Sequence, residues 1–381
     1  MKYLIFLAIP FYLVCNALAS SNTNDSRDSH PASAAHPRAI SPGDTLKNAA
    51  SFPIGVGIGG RQLADPDLRD IVAHEFNSLS TGAFIFWNHI SPTPGAFLFG
   101  PADNLVNFGV KNGLRVHGHA LLLFQATPDW IQNFQGDSAE WENLFKTHIQ
   151  TIVSHFKGRV SSWDVVNEAF DENGEIWNDE LNQVTKKTDV NVWKLHLGPD
   201  YIARAFVYAH EADPNAVLFY NEFGQERMPK KLQAIVNMVN DFKARHIPIG
   251  GVGLQMHLTI KQPLAGIDNA LEKLSATGVQ VRISELDIRI NLTYKAHDPD
   301  SLQNVAKQKN MFYAVARDYS RIVPKDQQYG ITFWCVTDKD TYINVGADKR
   351  GYWESPLLFD VNYKRKPAYA AFIAGLRDGS K

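Results

Sequence analysis

The stretch Ser162-Trp163-Asp164-Val165-Val166-Asn167-Glu168 begins as a short, largely apolar run and ends in two polar residues. A helical stretch follows at Asp200–Glu211, and a second apolar run follows at Val217–Asn221. Between these two, Asp213-Pro214 is a pair that ends a helix. A strand, a helix and a further strand in this order are typical of a parallel βαβ unit.

The same alternation extends in both directions from this unit, beginning at about Thr45. Strands are predicted at Ile54–Gly57, Ser80–Phe86, Leu114–His119, Ser162–Val166, Val217–Asn221, Gly250–Met256, Val281–Ser284 and Ile331–Val336. Eight such units separated by helices predict an α/β protein that folds as a single (β/α)8 TIM barrel. A doubly wound open sheet is the alternative. It is less consistent with the sequence, because the glycines of Gly55–Gly60 lack the spacing of a nucleotide-binding loop.

The amino terminus has the features of a secretory signal peptide. Lys2 precedes an apolar run that continues to Cys15, and Ala17-Leu18-Ala19 puts small residues where signal peptidase cleaves. We therefore predict a signal peptide at residues 1–19, a disordered polar arm at residues 20–44 and one catalytic domain at residues 45–381. The protein is expected to be secreted and extracellular. Lipidation at Cys15 is an alternative that bulky Val14 disfavours.

The composition limits the classes of partner and of site. The 381 residues contain 38 Lys and Arg against 40 Asp and Glu, a net charge of −2, so neither nucleic acid nor a membrane is an expected partner. A monomer is expected. Cys335 is the only cysteine left after signal removal, and Asn24 and Asn291 begin glycosylation sequons. His117 and His119 have the spacing of two ligands on one strand face, but no third ligand follows, so no metal site is predicted.

Two glutamates stand at the carboxyl ends of predicted strands, where barrels of this kind carry their catalytic groups. Glu168 ends the first stretch quoted, and Glu285 follows the strand at Val281–Ser284. A single glutamate after a strand is commonly a solvated loop residue or a helix cap. A pair matches the requirement of glycosidic bond cleavage, in which one carboxyl protonates the leaving oxygen and the other attacks or activates water.

Four ordered segments carry a resemblance to a known family. They are Trp163–Glu168, Gly253–His257, Ile283–Asp287 and Ile331–Asp338. They resemble glycoside hydrolase family 10, the family of the β-1,4-xylanases, and the similarity extends from about Phe52 to Phe372. The resemblance implies a (β/α)8 barrel that hydrolyses a carbohydrate substrate by a retaining mechanism without a cofactor.

The resemblance also implies roles for individual residues. Glu168 is the implied general acid/base and Glu285 the implied nucleophile. Asn167 would donate a hydrogen bond to the sugar 2-hydroxyl, and His257, oriented by Asp287, would bond the nucleophile. The other residues expected to bind substrate or to support the site are His119, Gln255, Trp334 and Tyr342.

The sequence departs from the family at the positions that bind the glycone sugars. Gly82, Ala83 and Phe86 stand where the family has Glu, Asn and Lys; Leu123 and Phe124 replace Trp and His; and Tyr342 replaces a second Trp. These changes remove contacts to xylose but no catalytic carboxyl. Because a site built with polar groups for sugar hydroxyls discriminates strongly, we expect a changed substrate.

Three functions are therefore considered. The departures favour the tomatinase branch of the family, which releases lycotetraose from the steroidal glycoalkaloid α-tomatine, because smaller side chains at Leu123 and Tyr342 leave room for the hydroxymethyl group of a hexose. An endo-1,4-β-xylanase is the first alternative. A secreted carbohydrate-binding protein without catalytic activity is the second.

Overall fold

In a computed structural model of the protein, residues 43–181, 188–292, 301–347 and 351–380 are described. The predicted signal peptide, Asn24 and almost all of the predicted arm lie outside these residues. Asp44, predicted as the last residue of the arm, is paired with Arg377 at 2.6 Å, and the Tyr369 hydroxyl donates to its carbonyl at 3.2 Å. Asp44 therefore packs with the carboxyl-terminal helix and belongs to the domain.

Eight parallel strands form a closed barrel, as the sequence predicts. In chain order the strands are β1 Ile54–Gly57, β2 Ser78–Ser80, β3 Arg115–Gly118, β4 Ser162–Asn167, β5 Asp179–Leu181, β6 Thr188–Val190, β7 Val217–Glu222, β8 Gly251–Leu254, β9 His257–Thr259, β10 Gln280–Arg289 and β11 Gln328–Trp334. The barrel order is β1, β2, β3, β4, β7, β8, β10 and β11, and β11 pairs with both β10 and β1 to close it. Strand β9 pairs in parallel with the last residues of β10, outside the eight-stranded barrel. Strands β5 and β6 pair antiparallel with each other.

Helices connect the strands and cover the outside of the barrel. They are α1 Gly60–Ala64, α2 Pro66–Glu75, α3 Trp87–Ile90, α4 Gly100–Lys111, α5 Asp129–Gln132, α6 Ser138–Phe156, α7 Val192–Leu197, α8 Tyr201–Ala212, α9 Pro229–Ala244, α10 Leu264–Ser275, α11 Leu302–Ile322 and α12 Pro367–Gly379. None of the helices in the described ranges combines the length and apolar character needed to cross a membrane.

Helix α6 illustrates how the sequence specifies these elements. Asp137 caps it by accepting hydrogen bonds from the backbone N–H groups of Ala139 and Glu140, and the Glu140 carboxylate bonds the Asp137 N–H in return. This capping box satisfies donors that the first turn leaves unpaired. The buried face contains His148 and is otherwise apolar, with Trp141, Phe145, Ile149, Ile152, Val153 and Phe156. Burial of each such side chain contributes about 1.5–3 kcal/mol.

The second strand differs from its prediction. A strand was expected over Ser80–Phe86, but β2 ends at Ser80 and a 3₁₀ helix follows at Gly82–Ile85. Gly82 has φ +52°, and a Cβ at this position would lie 2.8 Å from the carbonyl oxygen of Ile58. The chain therefore turns out of the sheet at a position that only glycine accommodates without strain.

Candidate active site

The two predicted carboxyls lie where β4 ends and where the pairing of β10 with β8 has just ended. Glu168 directly follows β4 and has φ +56°, which turns its side chain out of the strand direction. Glu285 lies within β10, and its N–H donates to the Gln255 carbonyl. Both glutamates are buried, with 6% and 5% of their surface exposed. The barrel therefore holds two carboxyls in a largely dehydrated pocket, where their protonation states depend on their immediate neighbours.

Glu285 is surrounded by hydrogen-bond donors. Asn221 Nδ2 donates to its Oε1 at 2.7 Å, and His257 Nε2 lies 3.2 Å from its Oε2. The Nε2 atom of His119 is 4.0 Å from Oε1. Burial acts to raise the pKa of Glu285, but the charge of His119 and the hydrogen bond and charge of His257 outweigh it and lower the pKa. Glu285 is therefore held as a carboxylate.

Glu168 has the opposite environment. Gln255 Nε2 donates to its Oε1 at 2.8 Å and Asn167 Nδ2 at 3.1 Å, while its buried Oε2 has no hydrogen-bond partner among the described residues. Burial, assisted by the negative charges of Glu222 and Glu285, raises the pKa of Glu168 to about 7. The two carboxyls thus titrate far apart, as one acid and one ionised carboxylate require.

An amide chain joins the two carboxyls. Asn221 Nδ2 donates both to Glu285 Oε1 and to Asn167 Oδ1, the latter at 2.8 Å, and Gln255 Nε2 lies 3.3 Å from the same Asn167 oxygen. Ser284 Oγ donates to Asn221 Oδ1 at 2.6 Å and fixes the orientation of that amide. The predicted residues Asn167 and Gln255 therefore lie in the site, next to the predicted acid.

His257 links Glu285 to a second carboxylate. Its Nδ1 lies 2.6 Å from Asp287 Oδ2, and β9 pairs with β10 so that His257 and Asp287 are in register. Burial acts to lower the pKa of His257, but Asp287 and Glu285 together raise it to about 10. The imidazolium therefore donates one N–H to each carboxylate. The Tyr342 hydroxyl lies 3.4 Å from His257 Nδ1, which brings this predicted residue to the same wall.

The predicted residue His119 is positioned by a buried aspartate. Its Nδ1 is 2.8 Å from Asp164 Oδ2, and His117 Nε2 is 2.9 Å from the same oxygen. His117 Nδ1 in turn contacts Ser162 Oγ at 2.7 Å. Both histidines of the His-Gly-His segment are thus engaged by protein groups. Among the described residues, no group of three or more His, Cys, Asp or Glu side chains is arranged to hold a metal ion.

Aromatic side chains line the opposite wall. The Phe86 ring packs on the His119 ring with centroids 5.4 Å apart, and Trp334 meets His119 edge-on at 5.1 Å. A Cβ on Gly57 would lie 2.5 Å from the Trp334 ring, so glycine permits this position of the indole. Phe86 and Trp334 are each partly exposed. The position expected to hold a lysine therefore presents a phenyl ring to the cleft.

The other altered positions do not all reach the cleft. Leu123 and Phe124 are 8% and 3% exposed, and Phe124 contacts Trp177 with ring centroids 6.5 Å apart. Gly82 turns the chain, and the Ala83 carbonyl contacts His89 Nδ1 at 2.6 Å. No described contact links these four residues to Glu168 or Glu285. Among the altered glycone positions, Phe86 is thus the main apolar side chain that is exposed to the cleft.

Two further predicted features are placed by the structure. Asn291 is 2% exposed, and its Nδ2 donates to the Trp353 carbonyl at 2.9 Å. A glycan on that nitrogen would have to replace this buried contact, so the folded chain disfavours modification there. Cys335, the expected free thiol, is buried beside Gln62 Nε2 at 3.9 Å, and burial raises its pKa well above the usual value.

Sequence reasoning missed several residues of the site. Asn221 and Glu222 are the last residues of β7, and Ser284 lies in β10 directly before Glu285. A polar residue at the site end of a barrel strand is the signal that was available. Asp164 lies inside the quoted β4 stretch but was given no role. Lys231 carried no signal, since a lysine in a helix is normally exposed.

Known proteins are similar to this chain in sequence and in fold. Residues 44–374 match glycosyl hydrolase family 10. The chain is 34% identical over 374 residues to the endo-β-1,4-xylanase Xyn10C of Cellvibrio japonicus, covering 92% of this chain and 59% of that protein. It is also 34% identical to a β-1,4-xylanase of Dictyoglomus thermophilum, covering 84% of this chain and 86% of the relative.

The fold agrees with a solved structure from the same set of proteins. Native xylanase10C from Cellvibrio japonicus superposes with a TM-score of 0.80 at 34% identity, covering 88% of this chain and 73% of that one. The chain spans about three fifths of the length of the endo-β-1,4-xylanase Xyn10C to which it is similar in sequence. The family match favours the two hydrolase expectations over that of a secreted carbohydrate-binding protein without catalytic activity. The chain belongs to glycosyl hydrolase family 10.

Proposed function

We propose that the chain is a retaining β-glycosidase that hydrolyses β-1,4-linked xylan. The observation that carries the proposal is the opposed state of the two carboxyls, with Glu168 protonated up to about neutral pH and Glu285 held ionised by Asn221 and His257. The xylanase names of the relatives support xylan as the substrate class. Xylan thus replaces the glycoalkaloid as the first expectation.

In the proposed first step, a Glu285 oxygen attacks the anomeric carbon of the sugar. The bond from that carbon to the glycosidic oxygen breaks, and Glu168 transfers its proton to the leaving oxygen. Glu168 Oε2 is the atom suited to carry this proton, because Oε1 already accepts hydrogen bonds from Gln255 and Asn167. The product is a glycosyl ester of Glu285 and a free alcohol.

In the second step, Glu168 acts as a base. The carboxylate left after the first step accepts a proton from water, and the water oxygen attacks the anomeric carbon and releases Glu285. Asn221 and His257 stabilise the departing carboxylate with the hydrogen bonds that held it before attack. Glu168 has then given one proton to the leaving oxygen and taken one from water. The site returns to its starting state, with Glu168 protonated and Glu285 ionised.

A glycoside with an apolar aglycone, such as α-tomatine, is the second candidate. The observation that favours it is Phe86, whose phenyl ring lies on His119 and is partly exposed where the family has a lysine. A phenyl group cannot donate a hydrogen bond to a sugar hydroxyl, so a contact to the xylose glycone is lost, which favours a different glycone. The buried positions of Leu123 and Phe124 limit this argument to a small area of the cleft.

A paired assay separates the two candidates. The same preparation is incubated with xylan and with α-tomatine, and the released reducing sugar and lycotetraose are quantified, with Glu285→Ala as the control that removes the nucleophile. We expect the wild type to hydrolyse xylan and not α-tomatine, and we expect Glu285→Ala to hydrolyse neither. Release of lycotetraose without hydrolysis of xylan would replace the first candidate by the second.

The retaining course and the secretion of the chain are also part of the proposal. A 2-fluoro xyloside with a good leaving group is expected to label Glu285 covalently, and peptide mass spectrometry would detect the label. An unlabelled enzyme that still turns over substrate would contradict the covalent step.

Secretion through residues 1–19 predicts a mature chain that begins at Ser20. Amino-terminal sequencing of protein from a secreting host checks this prediction. A monomer remains a prediction for light scattering.

A further inference from the structure

A fully buried ion pair lies next to the site and has no place in the mechanism above. Glu222 is the last residue of β7, and Lys231 lies in the first turn of α9; both side chains are 0% exposed, with Nζ 3.1 Å from Oε1. The Lys231 ammonium also lies 3.6 Å from the centre of the Phe223 ring. Removing two charges from water costs free energy that their attraction often fails to offset, so stability is a weak explanation for the pair.

The Glu222 carboxylate is bonded to the segment that follows Glu168. Its Oε2 accepts a hydrogen bond from the Phe170 N–H at 3.2 Å and another from the Tyr220 hydroxyl at 2.7 Å. The Tyr220 oxygen accepts one from the Ala169 N–H at 3.1 Å. The φ of +56° at Glu168 takes the chain out of β4, and these bonds hold the two N–H groups that follow the turn. The turn that presents Glu168 is thus anchored on Glu222.

We propose that the Glu222–Lys231 pair is a positioning element for Glu168, which fixes the turn at residues 169–170 and sets the electrostatic field at the Glu168 carboxyl. This inference rests on the proposed role of Glu168 as acid/base. It assigns two functions to the Glu222 carboxylate. Its hydrogen bonds fix the geometry of the turn, and its charge favours the protonated form of Glu168. Lys231, paired with Glu222 at 3.1 Å, limits the second effect.

The charges around Glu168 support this division. The titratable groups that face it are Glu285 from β10, Glu222 and Tyr220 from β7, and Lys231 from α9. Burial raises the pKa of Glu168 most, Glu222 adds to the rise, and Lys231 acts against it. Replacing Glu222 changes the charge on the β7 side alone, since Tyr220 is neutral in the working range.

The test separates charge from geometry with three variants. Glu222→Gln removes the charge and approximates the shape; Glu222→Asp keeps the charge and shortens the reach; Glu222→Gln with Lys231→Met removes both charges. The pH dependence of kcat/KM is measured on 4-nitrophenyl β-xylobioside, or on α-tomatine where no xyloside is hydrolysed. Its alkaline limb reports the acid of the free enzyme.

We expect the alkaline limb to fall by about one pH unit in Glu222→Gln, because an ionised neighbour that opposed the ionisation of Glu168 is gone. In the double variant the limb should lie between those of Glu222→Gln and the wild type. In Glu222→Asp it should stay at the wild-type position while kcat falls. Glu142→Gln, which breaks an ion pair with Arg204 on the outer helices, is the matched control and should leave the limb unmoved.

A wild-type limb in Glu222→Gln, or the same limb in all three variants, would overturn the inference. Thermal unfolding identifies a variant that does not fold, and in that case the charge-neutral double variant still tests the position of the limb. The proposed function fails separately. If Glu168→Ala hydrolyses the same substrate as fast as the wild type, Glu168 is not the acid/base; if Glu168→Ala is impaired but the limb does not move in Glu222→Gln, only the role of the pair is wrong.

Discussion

The two sides of the cleft differ in chemistry although they close the same barrel. On the side built by β4, β7, β8, β9 and β10, three amides and the imidazole of His257 bond Glu168 and Glu285 at 2.7–3.2 Å. On the side built by β1 to β3 and β11, Phe86 and Trp334 pack on His119. We expect the first side to carry out bond cleavage and the second to contact the substrate. Changes on the first side should therefore reduce kcat, whereas changes on the second should alter which sugar is accepted.

The largest effect is expected from removal of a catalytic carboxyl. Glu285→Ala should reduce hydrolysis to background, and Glu168→Ala should lower kcat about 10²–10⁴-fold on substrates with poor leaving groups. With a dinitrophenyl leaving group, which needs no protonation, the first step in Glu168→Ala should be nearly normal and a glycosyl-enzyme should accumulate. Stopped-flow absorbance would detect the burst. An equal loss on both classes of substrate would argue against an acid role.

A smaller loss is expected when the amide chain between the carboxyls is broken. Asn221→Ala removes the donor to Glu285 Oε1 and the contact to Asn167, and kcat should fall about 10²–10³-fold, as for the loss of one pre-organised donor. Asn221→Asp is the matched control, since it keeps the size but adds a negative charge beside Glu285. If Asn221→Ala changes KM and leaves kcat intact, Asn221 acts on substrate binding and not on the nucleophile.

The parts that the sequence predicts well are those that repeat or belong to motifs. The barrel follows from the alternation of strands and helices, and β4 and β7 end within one residue of their predicted limits. The strand at Ser80–Phe86 was wrong because apolar residues after Gly82 resemble a strand, whereas the positive φ of that glycine turns the chain into a 3₁₀ helix. Local apolar character does not contain this information.

In the site, the same distinction applies. Glu168, Glu285 and His257 stand in motifs at strand ends, and the structure brings them together. Asn221 could be suspected from its position at the end of β7. Lys231 could not, because only the tertiary fold shows that its helix begins over the carboxylate of Glu222. The sequence likewise places Leu123 and Phe124 at glycone positions, but both are buried, and Phe124 packs against Trp177.

On the substrate side, Tyr342 offers the sharpest test of selectivity. Its hydroxyl lies 3.4 Å from His257, and Tyr342→Trp restores the larger side chain of the family. A larger ring takes space that a hexose hydroxymethyl group would use, so kcat/KM for aryl hexosides relative to aryl xylosides should fall about 10–200-fold. Tyr342→Phe is the control that keeps the size and removes the hydroxyl. An unchanged ratio in Tyr342→Trp would place the selectivity elsewhere in the cleft.

The smallest effect is expected at Phe86. Phe86→Leu removes a ring–ring contact with His119, which should lower the free energy of unfolding by about 0.5–1.5 kcal/mol, measured by urea denaturation. His119 remains bonded to Asp164 at 2.8 Å, so its orientation toward Glu285 does not depend on Phe86. The change in kcat should therefore be smaller than for Asn221→Ala. A loss of kcat as large as that of Asn221→Ala would mean that the apolar wall positions the nucleophile, and the division of the cleft into a catalytic and a contact side would be wrong.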